Sequence, residues 1–400
     1  MPKDPPFSAL STEEAIRYSR QMVLPELGLE GQRSIKSARI LIVGLGGLGS
    51  PAALYLAAAG VGTIGLADFD KVESHNLHRQ ILHDTKSVER SKLDSAIARL
   101  NALNPHCTLN RHPEGILVSN ALELLTQYDL ILDGSDNFPT RYLVNDAAYF
   151  ARRPLVYGSI FQFEGQVSFF NPTASSKTNV SPCYRCLFPK MPEPESVPNC
   201  AQAGVLGALC GTIGSLQAME AIKYLSGIGA PLKNRLLVVE TLSMRFRTLN
   251  IKRDPNCPLC GENPSITDLK LENYKWNCSS ETTGPHLGQT DTENFPLEIT
   301  ANEAQTWLNS SEPPLLLDVR EPFETDICKI SNSINIPTAQ VPHQLDALPK
   351  DQPILVYCHH GIRSRKITQL LRAKGYTQAI NMTGGIHTWA EKLDPSMQRY

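Results

Sequence analysis

Residues 38–43 read ARILIV and run directly into GLGGLG at residues 44–49. The apolar run predicts a buried strand, and the alanine-rich segment 51–59 predicts a helix after it. A GxGxxG sequence between a strand and a helix lets the backbone approach a phosphate at the helix N-terminus, where unpaired N–H groups and the helix dipole favour anions. The sequence therefore predicts a nucleotide-phosphate site at four glycines: Gly44, Gly46, Gly47 and Gly49.

The alternation of strand and helix patterns around this segment predicts a doubly wound, Rossmann-like α/β sheet. Further strand patterns lie at 63–67, 128–133 and 155–158, and helical patterns lie at 90–103 and after Asn137. Strands that alternate with helices in this way form parallel sheets. Residues 165–170 and 236–251 alternate like antiparallel strands, so we expect them to extend the parallel part into a mixed sheet.

Length and composition limit the class of protein. Single cores usually stop growing at about 250–300 residues, so a chain of 400 residues predicts more than one domain. A net charge of −2 gives no electrostatic reason to expect nucleic-acid or membrane partners. No apolar run approaches the ~20 residues that span a bilayer, and MPKDPP at the start lacks the core of a signal peptide. We therefore expect a cytoplasmic protein, in which paired cysteines favour metal binding or catalysis over disulfides.

Three segments follow from the composition along the chain. Residues 1–262 carry the first strand–helix alternation and include the proline-rich stretch 173–200, which predicts a long functional loop. Residues 263–294 are polar and predict a linker. The alternation restarts within 295–400, with strand patterns at 315–319 and 354–358 and a helix near Ser364, and this predicts a small second α/β domain.

Charged residues after the glycine loop bear on which nucleotide binds. The loop alone is compatible with a dinucleotide oxidoreductase, since Asp68, with Asp70 beside it, lies about 20 positions on and can bind ribose hydroxyls. Arg79 and Lys92 would neutralise the phosphates of a triphosphate, and Asp136 can hold Mg²⁺. The combination favours a triphosphate with Mg²⁺ over a hydride donor.

Two CxxC pairs predict a structural metal centre. Cys183 and Cys186 form the first pair, and Cys257 and Cys260 form the second. The spacing within each pair is typical of tetrahedral Zn²⁺ sites, and a closed set of four thiolates leaves no open position for catalysis. The alternative, a redox CxxC motif, would place one pair at a helix N-terminus. We expect a zinc clip that joins two distant segments.

Six motifs together resemble the MoeB/ThiF branch of the ubiquitin-activating enzyme family. They are RYSRQ at 17–21, the glycine loop, DFD at 68–70, NLHRQ at 76–80, DN at 136–137 and CYRC at 183–186. The resemblance extends from about residue 10 to residue 261 and implies that the chain binds ATP rather than NAD. It adds Asn76, Gln80 and Asn137 to the predicted nucleotide-binding residues.

The resemblance also implies particular roles. Asp68 would contact the ribose, Arg79 and Lys92 the phosphates, and Asp136 the Mg²⁺ ion. Arg20 would reach the ATP of the partner subunit, which implies a homodimer.

The reaction implied by the family is carboxylate attack on the α-phosphate of ATP to give an acyl-adenylate. In the family, the carboxylate belongs to the C-terminal glycine of a small ubiquitin-fold sulfur carrier, either MoaD-like or ThiS-like. Close, in-line placement and neutralised pyrophosphate charge are what this chemistry needs. Cys200, at the end of the proline-rich loop, matches the family's reactive cysteine and could capture the acyl group, or it could be an accessory thiol.

The C-terminal part, about 297–400, resembles a single rhodanese domain. The matching segments are LDVRE at 317–321, NIP at 335–337, the loop after Tyr357 and GGI at 384–386. Cys358 would be the nucleophile, because loop N–H groups, a helix N-terminus and the charge of Arg363 lower the pKa of a thiol and would hold a persulfide. The predicted persulfide loop after it is His359, His360, Gly361, Ile362, Arg363 and Ser364. This chain has His359 where relatives often carry arginine, and Cys328-Lys329 where they carry Gly-His.

The two halves predict one coupled reaction. A persulfide on Cys358, charged by thiosulfate or a cysteine desulfurase, would convert the adenylated carrier into a thiocarboxylate for molybdopterin, thiamine or tRNA thiolation. Three alternatives remain open at this stage: an NAD-dependent oxidoreductase, a non-catalytic adaptor for ubiquitin-like partners, and a rhodanese domain that serves an unrelated acceptor.

Overall fold

A computed structural model describes residues 10–170, 181–192, 204–274 and 295–400. The chain divides into two compact units, Met1–Glu281 and Thr282–Tyr400. The domain and linker boundaries expected from the sequence, 1–262, 263–294 and 295–400, stay predictions. In the described residues, no helix is long and apolar enough to cross a membrane.

Eight strands of the described first unit form one sheet in the order β3-β2-β1-β4-β5-β6-β7-β8. The strands from β3 to β5 are parallel to their neighbours, and those from β5 to β8 pair antiparallel. The predicted mixed sheet is therefore confirmed. The strands are β1 (Arg39–Val43), β2 (Thr63–Ala67), β3 (Thr108–His112), β4 (Leu130–Asp133), β5 (Leu155–Phe161), β6 (Glu164–Phe170), β7 (Arg235–Glu240) and β8 (Arg245–Asn250).

Helices cover both faces of the parallel strands. In β1, Ile40 and Ile42 join the core on one face, whereas Leu41 and Val43 join the core on the other. Because both faces are buried, the strand is continuously apolar rather than alternating. The helices are α1 (Thr12–Met22), α2 (Gly28–Ser37), α3 (Gly49–Ala58), α4 (Lys92–Leu103), α5 (Ala121–Thr126), α6 (Phe138–Phe150), α7 (Tyr184–Leu187) and α8 (Gly207–Ser226), with 3₁₀ turns at Ser74–Asn76, Thr85–Ser87 and Leu271–Tyr274.

Two strands differ from the sequence expectation. The segment 236–251 is two strands, β7 and β8, joined by a turn. Strand β3 was missed because its residues, TLNRH, lie at the sheet edge and are mostly exposed, so they carry no apolar run.

Part of the polar segment 263–294 belongs to the first unit and packs on its sheet domain. Tyr274 is buried and donates a hydrogen bond of 3.0 Å to Asp146 Oδ2. Ile266 packs beside the four cysteines. These contacts hold the described residues 263–274 against the sheet domain.

The second unit is a smaller parallel sheet in the order β11-β10-β12-β13-β9. Along β12, Ile354 and Val356 face one core cluster and Leu355 and Tyr357 face the other, so this central strand is buried on both sides. The predicted strands at 315–319 and 354–358 are confirmed. The elements are β9 (Glu298–Ile299), α9 (Ala301–Leu308), β10 (Leu315–Asp318), α10 (Pro322–Ile327), β11 (Ile334–Asn335), β12 (Ile354–Tyr357), α11 (Ile362–Ala373), β13 (Ala379–Met382) and α12 (Gly385–Lys392), with 3₁₀ turns at Val341–His343 and Leu345–Ala347.

Candidate functional site

A cavity of about 950 Å³ opens at the carboxyl ends of β1, β2 and β4. The strand order reverses between β1 and β4, and ligands of doubly wound sheets bind at such a switch point. The cavity brings together most residues predicted to bind the nucleotide. Those that line it are Gly44, Gly46, Gly47, Asp68, Asp70, Arg79, Gln80, Lys92, Asp136 and Asn137.

The glycine loop is shaped by close backbone approaches. Gly44 has φ +85°, and a Cβ there would lie 3.0 Å from the carbonyl oxygen of Gly134. Gly49 does not line the cavity, because it opens α3 against the loop, where a Cβ would collide with the Gly44 carbonyl oxygen. A Cβ on Gly46 would meet only the Gln80 amide, at 3.7 Å, so this position faces open space where a phosphate fits.

Asp68 fixes the loop and stays close to the predicted ribose position. Its Oδ2 accepts a hydrogen bond of 2.7 Å from the Leu45 N–H, and its Oδ1 accepts one of 2.8 Å from the Asp70 N–H. Burial raises the pKa of Asp68, against the lowering effect of Lys92 and the two N–H groups. Lys92 is buried, and its Nζ lies 2.8 Å from Asp70 Oδ2, so Lys92 enters the cavity as half of an ion pair.

His83 is hydrogen-bonded to the same glycine loop, a role that the sequence did not indicate. Its Nε2 lies 3.1 Å from the Leu45 carbonyl oxygen and its Nδ1 lies 3.0 Å from Ser95 Oγ. A carbonyl only accepts, so Nε2 donates to Leu45 and Nδ1 accepts from Ser95. Burial lowers the pKa of His83 and favours this neutral ring.

Arg141 is a second cation in the cavity that sequence reasoning missed. Its guanidinium lies over the ring of Tyr157, at 5.5 Å from the centroid, and donates to the Ser135 carbonyl oxygen at 2.9 Å. Its Nε lies 3.7 Å from Asp133 Oδ2. Asp133 is fully buried, which raises its pKa, while Arg141 and Ser135 lower it. The available signal was the position of Arg141, one helical turn after Asn137, the N-cap of α6.

Two buried polar atoms belong to residues of the cavity wall. Gln80 Oε1 and Arg141 Nε have no hydrogen-bond partner among the described residues. Buried polar groups in proteins are nearly always paired. Arg141 Nε still has the Asp133 carboxylate 3.7 Å away, whereas Gln80 Oε1 is left as an acceptor for a polar group that enters beside it.

Three predicted residues lie apart from this wall or outside the described chain. Asn76 is buried and donates to Glu73 Oε2 at 2.7 Å instead of lining the cavity. Arg20 is exposed on α1 and does not line the cavity of its own chain. Cys200 lies outside the described residues.

The four predicted zinc ligands meet in space although seventy residues separate the two pairs. Cys183 Sγ lies 3.9 Å from Cys186 Sγ, 3.6 Å from Cys257 Sγ and 3.5 Å from Cys260 Sγ. Cys186 Sγ lies 3.3 Å from Cys260 Sγ. A ZnS₄ tetrahedron with Zn–S of about 2.3 Å has edges of about 3.8 Å, so the four thiols fit the ion.

Backbone donors surround the same sulfur atoms. The Asp254 N–H points at Cys186 Sγ over 3.4 Å, and the Cys260 N–H points at Cys257 Sγ over 3.5 Å. Such donors stabilise thiolates, which are the ligand form. The cluster joins α7 and the residue before it to the segment after β8.

Cys358 lies at the carboxyl end of β12, buried in the loop that leads to α11. Its Sγ accepts from the Gly361 N–H at 3.2 Å and from the Ser364 hydroxyl at 3.4 Å. Gly361 has φ +88°, and a Cβ there would lie 2.8 Å from the Gly384 nitrogen. The loop thus directs one N–H group and one hydroxyl at the sulfur.

Arg363 has a partner that the sequence did not reveal. Its two terminal nitrogens bind the two oxygens of Glu324 at 2.7 and 2.6 Å. Burial alone would raise the pKa of Glu324, but Arg363 and the Glu321 N–H outweigh it and hold the pKa at about 2. The charge predicted to act on Cys358 is therefore largely neutralised by Glu324, and Tyr400 donates to the same carboxylate at 2.9 Å.

The remaining residues of the persulfide loop divide by environment. His359 is partly buried, and desolvation, with smaller effects from His360 and His387, lowers its pKa to about 3. His360 and Ile362 are exposed.

The first unit has a switch-point cavity with nucleotide-binding features, and the second unit has a thiol surrounded by hydrogen-bond donors. Together they define the class of protein: an enzyme that uses a nucleotide and also carries out sulfur chemistry. Comparison with known families agrees, because residues 18–259 match the ThiF family and residues 300–392 match the rhodanese-like domain. The chain belongs to the ThiF family and carries a C-terminal rhodanese-like domain.

Similar proteins align over nearly the whole chain. The probable adenylyltransferase/sulfurtransferase MoeZ of Mycobacterium tuberculosis is 44% identical over 398 residues, which cover 99% of this chain and 97% of that protein. The adenylyltransferase and sulfurtransferase MOCS3 of Drosophila yakuba is 40% identical over 408 residues, covering 98% and 86%. A crystal structure of E. coli MccB with ATP shares the fold, with a TM-score of 0.53 and 23% identity over 61% of this chain and 74% of that one.

These findings confirm the family resemblance and the reaction class. The protein is an enzyme with adenylyltransferase and sulfurtransferase activities, built on an ATP-binding ThiF fold.

Proposed function

We propose that the enzyme adenylates the C-terminal glycine of a small ubiquitin-fold sulfur carrier, MoaD-like or ThiS-like, and converts it into a thiocarboxylate with sulfur carried on Cys358. The observation that carries the proposal is one chain with two sites. A nucleotide cavity holds acidic and basic groups, and a cradled thiol lies in a rhodanese-like unit.

In the first step, a carboxylate oxygen of the carrier attacks the α-phosphorus of ATP, and pyrophosphate leaves. Arg79, Arg141 and Lys92 line the cavity and would neutralise the charge that develops on the leaving group. Lys92 would exchange part of its pairing with Asp70 for the phosphates. Asp68, held rigidly by two N–H groups, would accept from the ribose hydroxyls.

Mg²⁺ would be held at Asp136, an exposed carboxylate on the cavity wall. When bound, the ion supplies charge stabilisation for the phosphates. Zn²⁺ on Cys183, Cys186, Cys257 and Cys260 would serve structure alone, since all four positions are taken by thiolates.

In the second step, the outer sulfur of a Cys358 persulfide attacks the acyl carbon, and AMP leaves to give an acyl disulfide. A second thiol, for which Cys200 is the candidate, then attacks Cys358 Sγ and expels the carrier thiocarboxylate. The resulting disulfide is reduced by a cellular thiol. Cys200 could instead first capture the acyl group as a thioester.

The partners follow from the same scheme. The sulfur donor is thiosulfate or a cysteine desulfurase, and the enzyme acts as a cytoplasmic homodimer in which Arg20 contacts the neighbour's ATP. The exposure of Arg20 on α1 supports that role. The pathway served is molybdopterin, thiamine or tRNA thiolation, according to the carrier.

The test is the intact mass of a MoaD-like and a ThiS-like carrier after incubation with the protein, Mg-ATP and thiosulfate. We expect a mass gain equal to the replacement of one oxygen by sulfur, absent with Cys358→Ala. An adenylate without sulfur would mean that the rhodanese unit serves another acceptor. Two unchanged carriers, with no ATP–pyrophosphate exchange, would contradict the proposal.

A further inference from the structure

Three histidines gather beside Cys358, and the sulfur chemistry described above does not use them. His359 and His360 follow Cys358 in the loop, and His387 comes from the first turns of α12. Each offers one ring nitrogen, and the three nitrogens lie within 4.8 Å of one another. The sequence separates His387 from the loop by a helix and a strand, so the fold makes this cluster.

Backbone contacts fix the position of the third histidine. The Ile386 N–H donates to the Cys358 carbonyl oxygen at 2.9 Å, and the His387 N–H donates to the His359 carbonyl oxygen at 3.0 Å. The start of α12 is thereby bound to the loop. A Cβ on Gly385 would collide with the same carbonyl groups, so glycine permits this approach.

The rings are also held by stacking. The centroids of His359 and His360 lie 4.1 Å apart at an interplanar angle of 21°, and Tyr400 stacks on His359 at 4.3 Å. His387 lies 4.9 Å from His360 between ring centroids. Side chains that are already ordered lose little entropy when they bind a ligand.

The local charge permits a cation. Arg363 is the cation nearest in sequence to the cluster, and Glu324 pairs with it through both carboxylate oxygens. His387 Nδ1 is buried and has no hydrogen-bond partner in the described part of the chain. An unpaired buried ring nitrogen beside two further imidazoles is a ligand atom without a ligand.

We propose that His359, His360 and His387 form a binding site for a borderline divalent metal ion, with Zn²⁺ as the probe, and that the bound ion closes the mouth of the Cys358 loop and stops sulfur transfer. Imidazole nitrogen suits Zn²⁺, Cu²⁺ or Ni²⁺ and not Mg²⁺ or Ca²⁺. Three histidines with one open position form a recognised Zn²⁺ ligand set. Tetrahedral geometry needs nitrogens about 3.4 Å apart, so the stacked rings of His359 and His360 would turn toward a common point when the ion binds.

The proposed block of sulfur transfer follows from the position of the histidines next to Cys358. Cys358 is only 1% exposed, so a donor must reach its sulfur past the residues that follow it. An ion held by the next two residues and by α12 would occupy that approach. Removing the ion with a chelator would restore transfer.

The test is calorimetric titration of Zn²⁺ into the full chain, after the four-cysteine centre has been filled and loosely bound metal removed. We expect the unchanged chain to bind one further equivalent of Zn²⁺. His387→Gln should bind it at least tenfold more weakly. His343→Gln, at an exposed histidine of the same unit, should bind it with unchanged affinity. Mg²⁺ should not bind there. The rate of sulfur transfer from thiosulfate to cyanide is compared with each variant's own metal-free rate. In the unchanged chain this rate should fall at least tenfold, with a midpoint at the Zn²⁺ concentration that half-fills the extra site. In His387→Gln it should not fall over that range.

Two further variants keep the proposal open to refutation. His360→Gln changes an exposed ring and serves if His387→Gln fails to fold, as judged by circular dichroism. Cys358→Ser should retain the extra equivalent. If Cys358→Ser loses the extra equivalent while His387→Gln and His360→Gln bind it normally, the thiol binds the metal and the histidine site is wrong. The absence of any further equivalent in the unchanged chain would also contradict the site.

Discussion

The nucleotide cavity and the persulfide loop occupy the same place in their sheets, at the carboxyl ends of parallel strands, yet they are assembled in opposite ways. The cavity takes its wall from several separate segments, among them 43–48, 67–70, 79–80 and 134–142. The donors around Cys358 come from one loop, Gly361 and Ser364. A dispersed site depends on partners brought together by the fold, whereas a local loop takes these donors from its own residues.

The largest effect should come from the local site. Cys358→Ala removes the predicted nucleophile, and we expect sulfur transfer from thiosulfate to fall by a factor on the order of 10⁴ or more. ATP–pyrophosphate exchange with a carrier should continue, because the adenylation site lies in the other unit. Equal loss of both activities would show that the two sites do not work separately.

This contrast also explains what the sequence could predict. The glycine loop, the two CxxC pairs and Cys358 are short motifs whose predicted chemistry follows from local spacing. The structure places the glycine loop at the cavity, brings the four cysteines together and directs donors at the Cys358 sulfur. The Asp133–Arg141 pair, the support of Leu45 by His83 and the Glu324–Arg363 pair join residues by tertiary contacts that no spacing rule reveals. Strand β3 was missed since an exposed edge strand carries no apolar pattern.

The metal clip should give the largest effect on stability. Cys260→Ser, or removal of zinc by a strong chelator, should lower the free energy of unfolding of the first unit by several kcal/mol, because metal binding stabilises only the folded chain. Thermal unfolding followed by circular dichroism measures this. Cys328→Ser, at a free cysteine of the second unit, is the matched control and should leave the transition in place. An unchanged transition after complete metal removal would contradict a structural role.

The dispersed site can be tested at the residue that the sequence missed. Arg141→Ala should lower the adenylation rate by roughly 10²–10³-fold, since the variant loses a cation that lines the nucleotide cavity. Arg141→Lys should recover only part of the rate, because a point charge cannot keep both the Ser135 contact and the ligand contact. Sulfur transfer from thiosulfate to cyanide serves as the control reaction. A normal rate for Arg141→Ala at saturating ATP would assign Arg141 to binding or to structure.

Glu324 tests how far the local loop relies on a distant partner. Glu324→Gln leaves Arg363 without its anion, and we expect the second unit to lose about 2 kcal/mol of stability. Asp326→Asn, at an exposed position of the same helix α10, is the control and should cost much less. Denaturant unfolding measures both. If the two variants unfold alike, the ion pair contributes nothing beyond a surface charge.

The smallest effect should be the loss of the Glu324–Arg363 ion pair at low pH, which lowers the stability of the second unit without a mutation. Arg363 and the Glu321 N–H hold the pKa of Glu324 at about 2 in the folded chain, against a usual value of 4.5. A lowered folded-state pKa means that the stabilisation is complete above pH 4.5 and is lost as the pH falls through 2. The difference in unfolding free energy between the unchanged chain and Glu324→Gln should therefore be constant near neutral pH and shrink between these two values. A difference that persists at pH 2 would mean that Glu324 stabilises the loop by packing rather than by its charge.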